Sequence, residues 1–291
     1  ENVKRKSKLN DQIFRFIFGR KELEMVKPIN LLVTQTGSLI VLDQGNQRVI
    51  AMDIETGKLK ELKSLVDNSF PSLVGICQLG EDEILFTDSR VSRIFIQKLS
   101  DSPEIFNDTL ILNQPTGIAY SRTTKQIWLA ETSNHRLLVL DRSGRVVKHV
   151  GQRGTQNGEF NFPTFIWIDE EGIVYIVDTM NFRVQLFTPE GEFLSAFGKP
   201  GDATGYFARP KGIATDSFGH IYVVDALFHS VQVFDRDGNF LYHFGIQGKG
   251  KGEFWLPTGI FIDPNNHIYI ADSYNARVQV FQLIPGEVNE K

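Results

Sequence analysis

A seven-residue phrase returns along this chain at a fixed interval, and it constrains the fold more than any other feature. It reads Asp178-Thr179-Met180-Asn181-Phe182-Arg183-Val184, then Asp225-Ala226-Leu227-Phe228-His229-Ser230-Val231, then Asp272-Ser273-Tyr274-Asn275-Ala276-Arg277-Val278, with a step of 47 residues each time. Weaker copies begin at Glu131, Asp88 and Asp43, with steps of 43 to 47 residues. A period of that length means stacked units, each unable to bury its own apolar face alone. A length of 291 residues would ordinarily suggest about two domains. Units that share one core predict instead a single domain over 1–291.

The unit from Pro210 shows the local logic. Lys211 to Asp216 reads as a short strand of small and β-branched residues, and Asp216 to Gly219 as a turn. His220 to Asp225 is a second strand, apolar on both faces. Val231 to Phe234 alternates as a half-buried strand does. Asp235 to Gly238 is another hairpin turn, and Asn239 to Gly245 a more polar, outermost fourth strand. Turns recur in register at Asp169–Gly172 and Asp263–Asn266, and at Asp141–Gly144 and Thr188–Gly191. Their acidic and Gly-rich composition is read as hairpin chemistry, not as a metal site. The innermost strand of each unit is expected to be the most uniformly apolar.

Prolines at 28, 71, 115, 163, 210 and 257 open six such units. The prediction is an all-β, six-bladed β-propeller of four-stranded antiparallel blades. The last unit stops after its third strand, Val278 to Phe281. Residues 13–19, Ile13-Phe14-Arg15-Phe16-Ile17-Phe18-Gly19, match the fourth strands at Phe193–Gly198 and Phe240–Gly245. The N-terminal strand is therefore expected to pair with the C-terminal blade and close the ring, hiding its open edges.

Apolar content is 41% and charged content 23%, ordinary for a globular protein, and the net charge of −4 gives no global pull toward nucleic acid or anionic membrane. The basic residues Lys4, Arg5, Lys6 and Lys8 mark a solvated arm over 1–10. The single cysteine, Cys77, reads as a small core residue. No apolar run approaches the roughly 18 residues of a spanning helix. The chain begins at Glu1 without a Met, which favours an extracytoplasmic location, secreted or periplasmic after signal removal.

The segment Gly252-Glu253-Phe254-Trp255-Leu256-Pro257-Thr258-Gly259-Ile260, continued by Ile268 to Phe281, resembles an NHL repeat. Gly158 to Phe187 and Gly205 to Phe234 match almost as well. The unit at Pro115 carries Glu131 where Asp is usual, and those at Pro28 and Pro71 are degenerate. The resemblance implies the six-bladed NHL propeller, a scaffold that hosts protein-binding modules, RNA-binding modules and an amidating lyase. It therefore does not specify one activity.

Within the phrase, the Asp is expected to accept from turn backbone N–H groups. The Asn should take a left-handed conformation, and the Arg should pair with a carboxylate or with carbonyls. A catalytic residue should break a repeat, not obey it. The unit at Asp225 does break it, with Phe228 and Ser230 in the Asn and Arg places. The second-to-third turns and the blade-to-blade connections share one rim, where binding residues collect. The variable residues there are Met180, Phe182, Leu227, Phe228, His229 and Tyr274, with Phe162, Arg209, Lys211 and Trp255 from the connections. The binding set is Met180, Phe182, Arg209, Lys211, Phe228, His229, Trp255 and Tyr274. Phe160, Phe207 and Phe254 are expected to tuck inward as anchors.

Enzyme readings gain little. His135 and His229 share a repeat position but lie in non-adjacent blades, and no His-x-His pair exists. No catalytic residue, cofactor or metal is expected. The expected function is a non-enzymatic binding or scaffold module for a protein or peptide. The alternatives are a metal-assisted hydrolase or lyase and a single-stranded RNA-binding module. The RNA reading draws on Arg153, Lys199, Arg209, Lys211, Lys249 and Lys251.

Overall fold

In the computed structural model, which describes residues 24–284 apart from 55, 57 and 65–69, six antiparallel sheets follow one another along the chain. Blades 1 to 5 each carry four strands in sequential order, and blade 6 carries three among the described residues. The first strands are Pro28–Val33, Leu73–Gln78, Pro115–Ser121, Pro163–Ile168, Pro210–Thr215 and Ile260–Ile262. Pro71 and Pro257 stand just ahead of their strands; the other four prolines open theirs. Proline fits there because the first residue of a strand is where the ladder can spare an N–H.

The second strands are the most completely buried. Val174–Asp178 and Ile221–Asp225 are buried at every position, whereas the first strands keep half-exposed residues. The expectation that the innermost strand is the most apolar is thus displaced outward by one strand. The second strand is covered by a neighbouring blade on each face, while the first strand borders the central channel. Alternate side chains serve alternate neighbours: Val223 packs with blade 4, and Tyr222 and Val224 with blade 6. Six apolar clusters result among the described residues, one at each blade-to-blade contact. One of them joins Tyr269, Ala271 and Val278 of blade 6 to Leu31, Leu39 and Val41 of blade 1.

Phe160, Phe207 and Phe254 are fully buried, as anchors should be, each worth about 2–3 kcal/mol of transfer free energy. Each ring lies against a glycine that ends a preceding fourth strand: Gly151, Gly198 and Gly245. Those glycines have φ of +78°, +93° and +94°, and a Cβ there would collide with the ring. The pairing of Gly with Phe therefore recurs with the same 47-residue step as the main phrase. The acidic turns are hairpin devices, as expected: Asp216 and Asp263 each accept two backbone N–H groups of their own turn. Cys77 is half-buried beside the cluster between blades 2 and 3, and burial pushes its thiol up, so it stays protonated.

Blade 6 meets blade 1 through Ser273 Oγ, which donates to the Pro28 carbonyl at 2.6 Å, and Thr258 Oγ1, which donates to that of Ile29 at 2.8 Å. Its outer strand, Arg277–Gln282, has no fourth strand beside it among the described residues. The expected closing strand at 13–19 and the basic arm at 1–10 lie outside those residues. Deleting residues 1–19 tests closure by thermal melting. The expected outcome is a Tm drop of roughly 10 °C or more, taking about 2–4 °C per kcal/mol for a domain of this size; an unchanged Tm overturns it.

Candidate functional site: a loop rim and a channel on opposite faces

The rim is built by one repeated carboxylate. Asp43, Asp88, Glu131, Asp178, Asp225 and Asp272 end the second strands, and all are 0–1% exposed. Each reaches back to the connection that enters its own blade. Asp178 accepts from the Asn161 N–H at 2.7 Å, and Asp272 from that of Trp255 at 2.7 Å. In the complete version, Asn275, Arg277 and Gln279 all donate to Asp272 Oδ2. Arg277 also donates to the carbonyls of Lys249, Gly250 and Glu253. Asp178 has the same set from Asn181, Arg183 and Gln185. The expected roles of Asp and Arg hold.

The Asn role does not. The left-handed residue is the next one: Phe182 at φ +55°, His229 at +54°, Ala276 at +53°. The turn is a single 3₁₀ turn closed by its last N–H, as where Phe182 donates to the Thr179 carbonyl. The residue after the Asn must then reverse the chain. Asn181 and Asn275 instead use their amides as bridges, to Asp178 or Asp272 and to the Gly154 or Gly248 carbonyl.

Blade 5 keeps the carboxylate and loses its cation. Asp225 accepts from the backbone N–H groups of Ala208, Arg209, Leu227 and Phe228, and Ser230 is buried where Arg stands elsewhere. Burial raises the Asp225 pKa, and those four N–H groups hold it down in part. His229 is engaged structurally: its Nδ1 accepts the Leu256 N–H at 3.1 Å. His135 does the same for Phe162 at 3.2 Å, and burial, then the nearby Arg153, lower its pKa. The two histidines clamp their own blades to the next connection.

The remaining rim residues do share a face. Met180, Leu227 and Tyr274 stand 51%, 51% and 54% exposed, and Trp255 and Phe162 are also exposed. Trp255 and Tyr274 have ring centroids 6.1 Å apart, with Lys249 over the first ring and Lys27 over the second. Phe182 and Phe228 are half-buried, and Phe182 packs against the cluster between blades 4 and 5. Arg209 is exposed and Lys211 half-buried. Burial, then the charges of Arg209 and Lys27, lower the Lys211 pKa to about 8.

The channel lay outside the expected binding set. A cavity of about 1570 Å³ runs along the first strands and includes the first-to-second turns, on the face opposite the rim. Trp167 and Phe261 meet edge-on in its wall at 5.7 Å, and Trp167 Nε1 donates to Thr215 Oγ1. Three of its acids are occupied: Asp169, Asp216 and Asp263 accept from Tyr175, Tyr222 and Tyr269 at 2.9, 3.1 and 3.3 Å. No group of three or more His, Cys, Asp or Glu side chains among the described residues is arranged to hold a metal. The signal in the sequence was the pair of large aromatics, Trp167 and Phe261, where blades 3 and 5 carry Ala119 and Ala214.

Six blades around a channel define a propeller. The chain belongs to the family described as a 6-bladed beta-propeller, whose signature matches residues 106–197 and 215–290. No curated protein matches it. Among solved structures it is similar to virginiamycin B lyase from Staphylococcus aureus, at 15% identity and a TM-score of 0.66, over 94% of this chain and 99% of that one. It is similar to a gluconolactonase from Xanthomonas campestris at 16% identity and a TM-score of 0.69, over 90% and 87%. An auxiliary nutrient binding protein from Bacteroides thetaiotaomicron gives 13% identity and 0.69, over 88% and 69%. At these identities the likeness concerns the fold.

Two outcomes follow from the carboxylate network and the buried lysine. Arg277→Ala leaves Asp272 buried without its cation and is expected to cost about 3–5 kcal/mol in urea unfolding. Arg48→Ala, whose guanidinium pairs with the exposed Glu61 instead of Asp43, is expected to cost less than about 1 kcal/mol. Equal costs would refute the network's role. For Lys211 the folded pKa of about 8 lies below the ordinary 10.5, so between them the unfolded chain binds more protons and stability rises with pH. The stability of wild type relative to Lys211→Met is expected to improve from pH 7.5 to 9.5; a flat difference refutes the shift.

Proposed function

We propose that this propeller, of the NHL type, is a non-enzymatic binding module that engages a protein or peptide through the rim of second-to-third turns and blade-to-blade connections. One observation carries the reading. Large apolar side chains on that rim are exposed around the ring: Val26, Val91, Ile111, Phe162, Met180, Leu227, Trp255 and Tyr274. Connecting turns have no folding reason to display such groups, and a run of them on one face is the composition of an interaction surface. The aromatic pair Trp255–Tyr274, flanked by Lys27 and Lys249, supplies the anchor type that dominates binding energy.

The lyase and lactonase likenesses concern scaffolds at 15–16% identity, and four of the six histidines here, His135, His229, His220 and His267, are engaged in backbone clamps and turn carboxylates. Trp255→Ala and Tyr274→Ala are expected to leave the Tm nearly unchanged. Each should weaken binding of a partner captured from the native source by at least about fivefold, the scale of a hot-spot truncation. Normal binding by both variants overturns the rim assignment. Tight, steeply salt-dependent binding to single-stranded RNA would replace it with the nucleic-acid reading.

A further inference from the structure

Blade 5 departs from the repeat at the rim end of its first strand as well as in its turn. The second residue of the first strand is Thr116 in blade 3, Thr164 in blade 4 and, one place before Gly259, Thr258 in blade 6. Each hydroxyl meets one from the following turn, Thr132, Thr179 or Ser273, at 2.6 Å. Thr132 and Ser273 pass the contact on to the Pro163 and Pro28 carbonyls of the next blade. Blade 5 has Lys211 and Ala226 in these two places. A hydroxyl pair that joins blades has been replaced by a cation and a methyl group.

That cation makes no ion pair among the described residues. Lys211 is half-buried. Arg209 and Lys211 flank Pro210, and Lys27 stands just before Pro28, so all three cations sit at the rim ends of first strands, which converge on the axis of the ring; the charges of Arg209 and Lys27 also lower the Lys211 pKa. Both are repulsive, and none of the three cations makes an ion pair among the described residues. Lys211 does not line the large cavity; it belongs to the rim end of the ring. A half-buried ammonium beside two further cations costs stability unless an anion joins them. Nearby acids are committed: Asp225 to four backbone N–H groups and Asp272 to Arg277.

We infer that Lys27, Arg209 and Lys211 form a binding site for an oxyanion, a carboxylate or phosphate group, at the rim end of the channel. Lys211 supplies the partly desolvated charge. Arg209, exposed and with a planar fork of donors, supplies directional hydrogen bonds. Lys27 bounds the site on the blade 1 side, its ammonium 5.8 Å from the Tyr274 ring centre. The site goes beyond the protein-binding reading of the same rim and does not require it, since a free anion would fill it equally well.

The test uses the full chain at constant ionic strength, with chloride exchanged for phosphate in one arm and for acetate in the other. Wild type is expected to show a saturable rise in Tm with at least one of them, as mass action requires of a ligand that binds only the folded state. Saturation by both assigns the site to oxyanions including the carboxylates of a partner; saturation by phosphate alone assigns it to phosphoryl groups. Lys211→Met should melt higher than wild type in chloride alone, because it removes an uncompensated charge, and should lose the saturable response. Arg209→Ala, at an exposed position, should fold normally and weaken the apparent affinity about tenfold, one charge-assisted hydrogen bond's worth. No saturable response in either arm, an undiminished response in Lys211→Met, or a lower melting point for that variant in chloride would each overturn the site. None of these outcomes bears on whether Trp255 and Tyr274 hold a protein partner.

Discussion

The buried carboxylate at the end of each second strand is the constraint on which the rest of this propeller depends. Blade sheets are held together by ordinary ladders, and neighbouring blades by apolar contact, which is non-directional. Neither fixes how the chain passes from one blade to the next. A carboxylate with no exposure, aimed at the N–H groups of the incoming connection, does fix it. Such a group is costly to bury unless its lone pairs are filled. The connection and the turn must therefore adopt one geometry together, and the interaction specifies the rim as much as it stabilises it.

That coupling explains why the rim can carry varied side chains. The backbone of the turn is held by its acid, by one 3₁₀ hydrogen bond and by a left-handed residue. None of these needs the middle positions of the phrase. Met180, Leu227 and Tyr274 are displayed because their backbone is already paid for by conserved geometry within the repeat, and their side chains are left for other uses. The left-handed position is used more economically: His135 and His229 turn it into a clamp on the next connection, while Ala276 leaves it bare.

Much of this was legible in the sequence because the governing interactions are local and repeat. The 47-residue step, the strand-opening prolines, the Asp-to-Gly hairpins and the three anchor phenylalanines all depend on residues a few places apart or at a fixed offset. The αL position was misplaced by one because Asn is the common left-handed residue, whereas here its amide is worth more as a bridge to Asp178 or Asp272. The channel was illegible for a different reason. Whether a first-strand side chain reaches a neighbour or open space depends on the radius of the ring, which no single unit encodes. Trp167 and Phe261 face one another only after six blades have been assembled.

Blade 5 is where the separation between scaffold and function can be argued most closely. A repeat under purely structural constraint has no reason to lose Asn and Arg from its turn and a hydroxyl pair from its inner strand in the same unit. Each loss alone leaves a deficit: Asp225 is a buried carboxylate without a cation, and Lys211 a half-buried cation without a carboxylate. The two form no ion pair with each other among the described residues: Asp225 accepts from backbone N–H groups, and burial with the neighbouring cations lowers the lysine's pKa. Local consistency is what makes a sequence fold to one structure, and its failures concentrate where function has been placed. Asp43 and Asp88 are likewise held by backbone N–H groups without a cation, so it is the half-buried Lys211, without an ion pair among the described residues, that sets blade 5 apart and points outward, to something the chain itself does not supply.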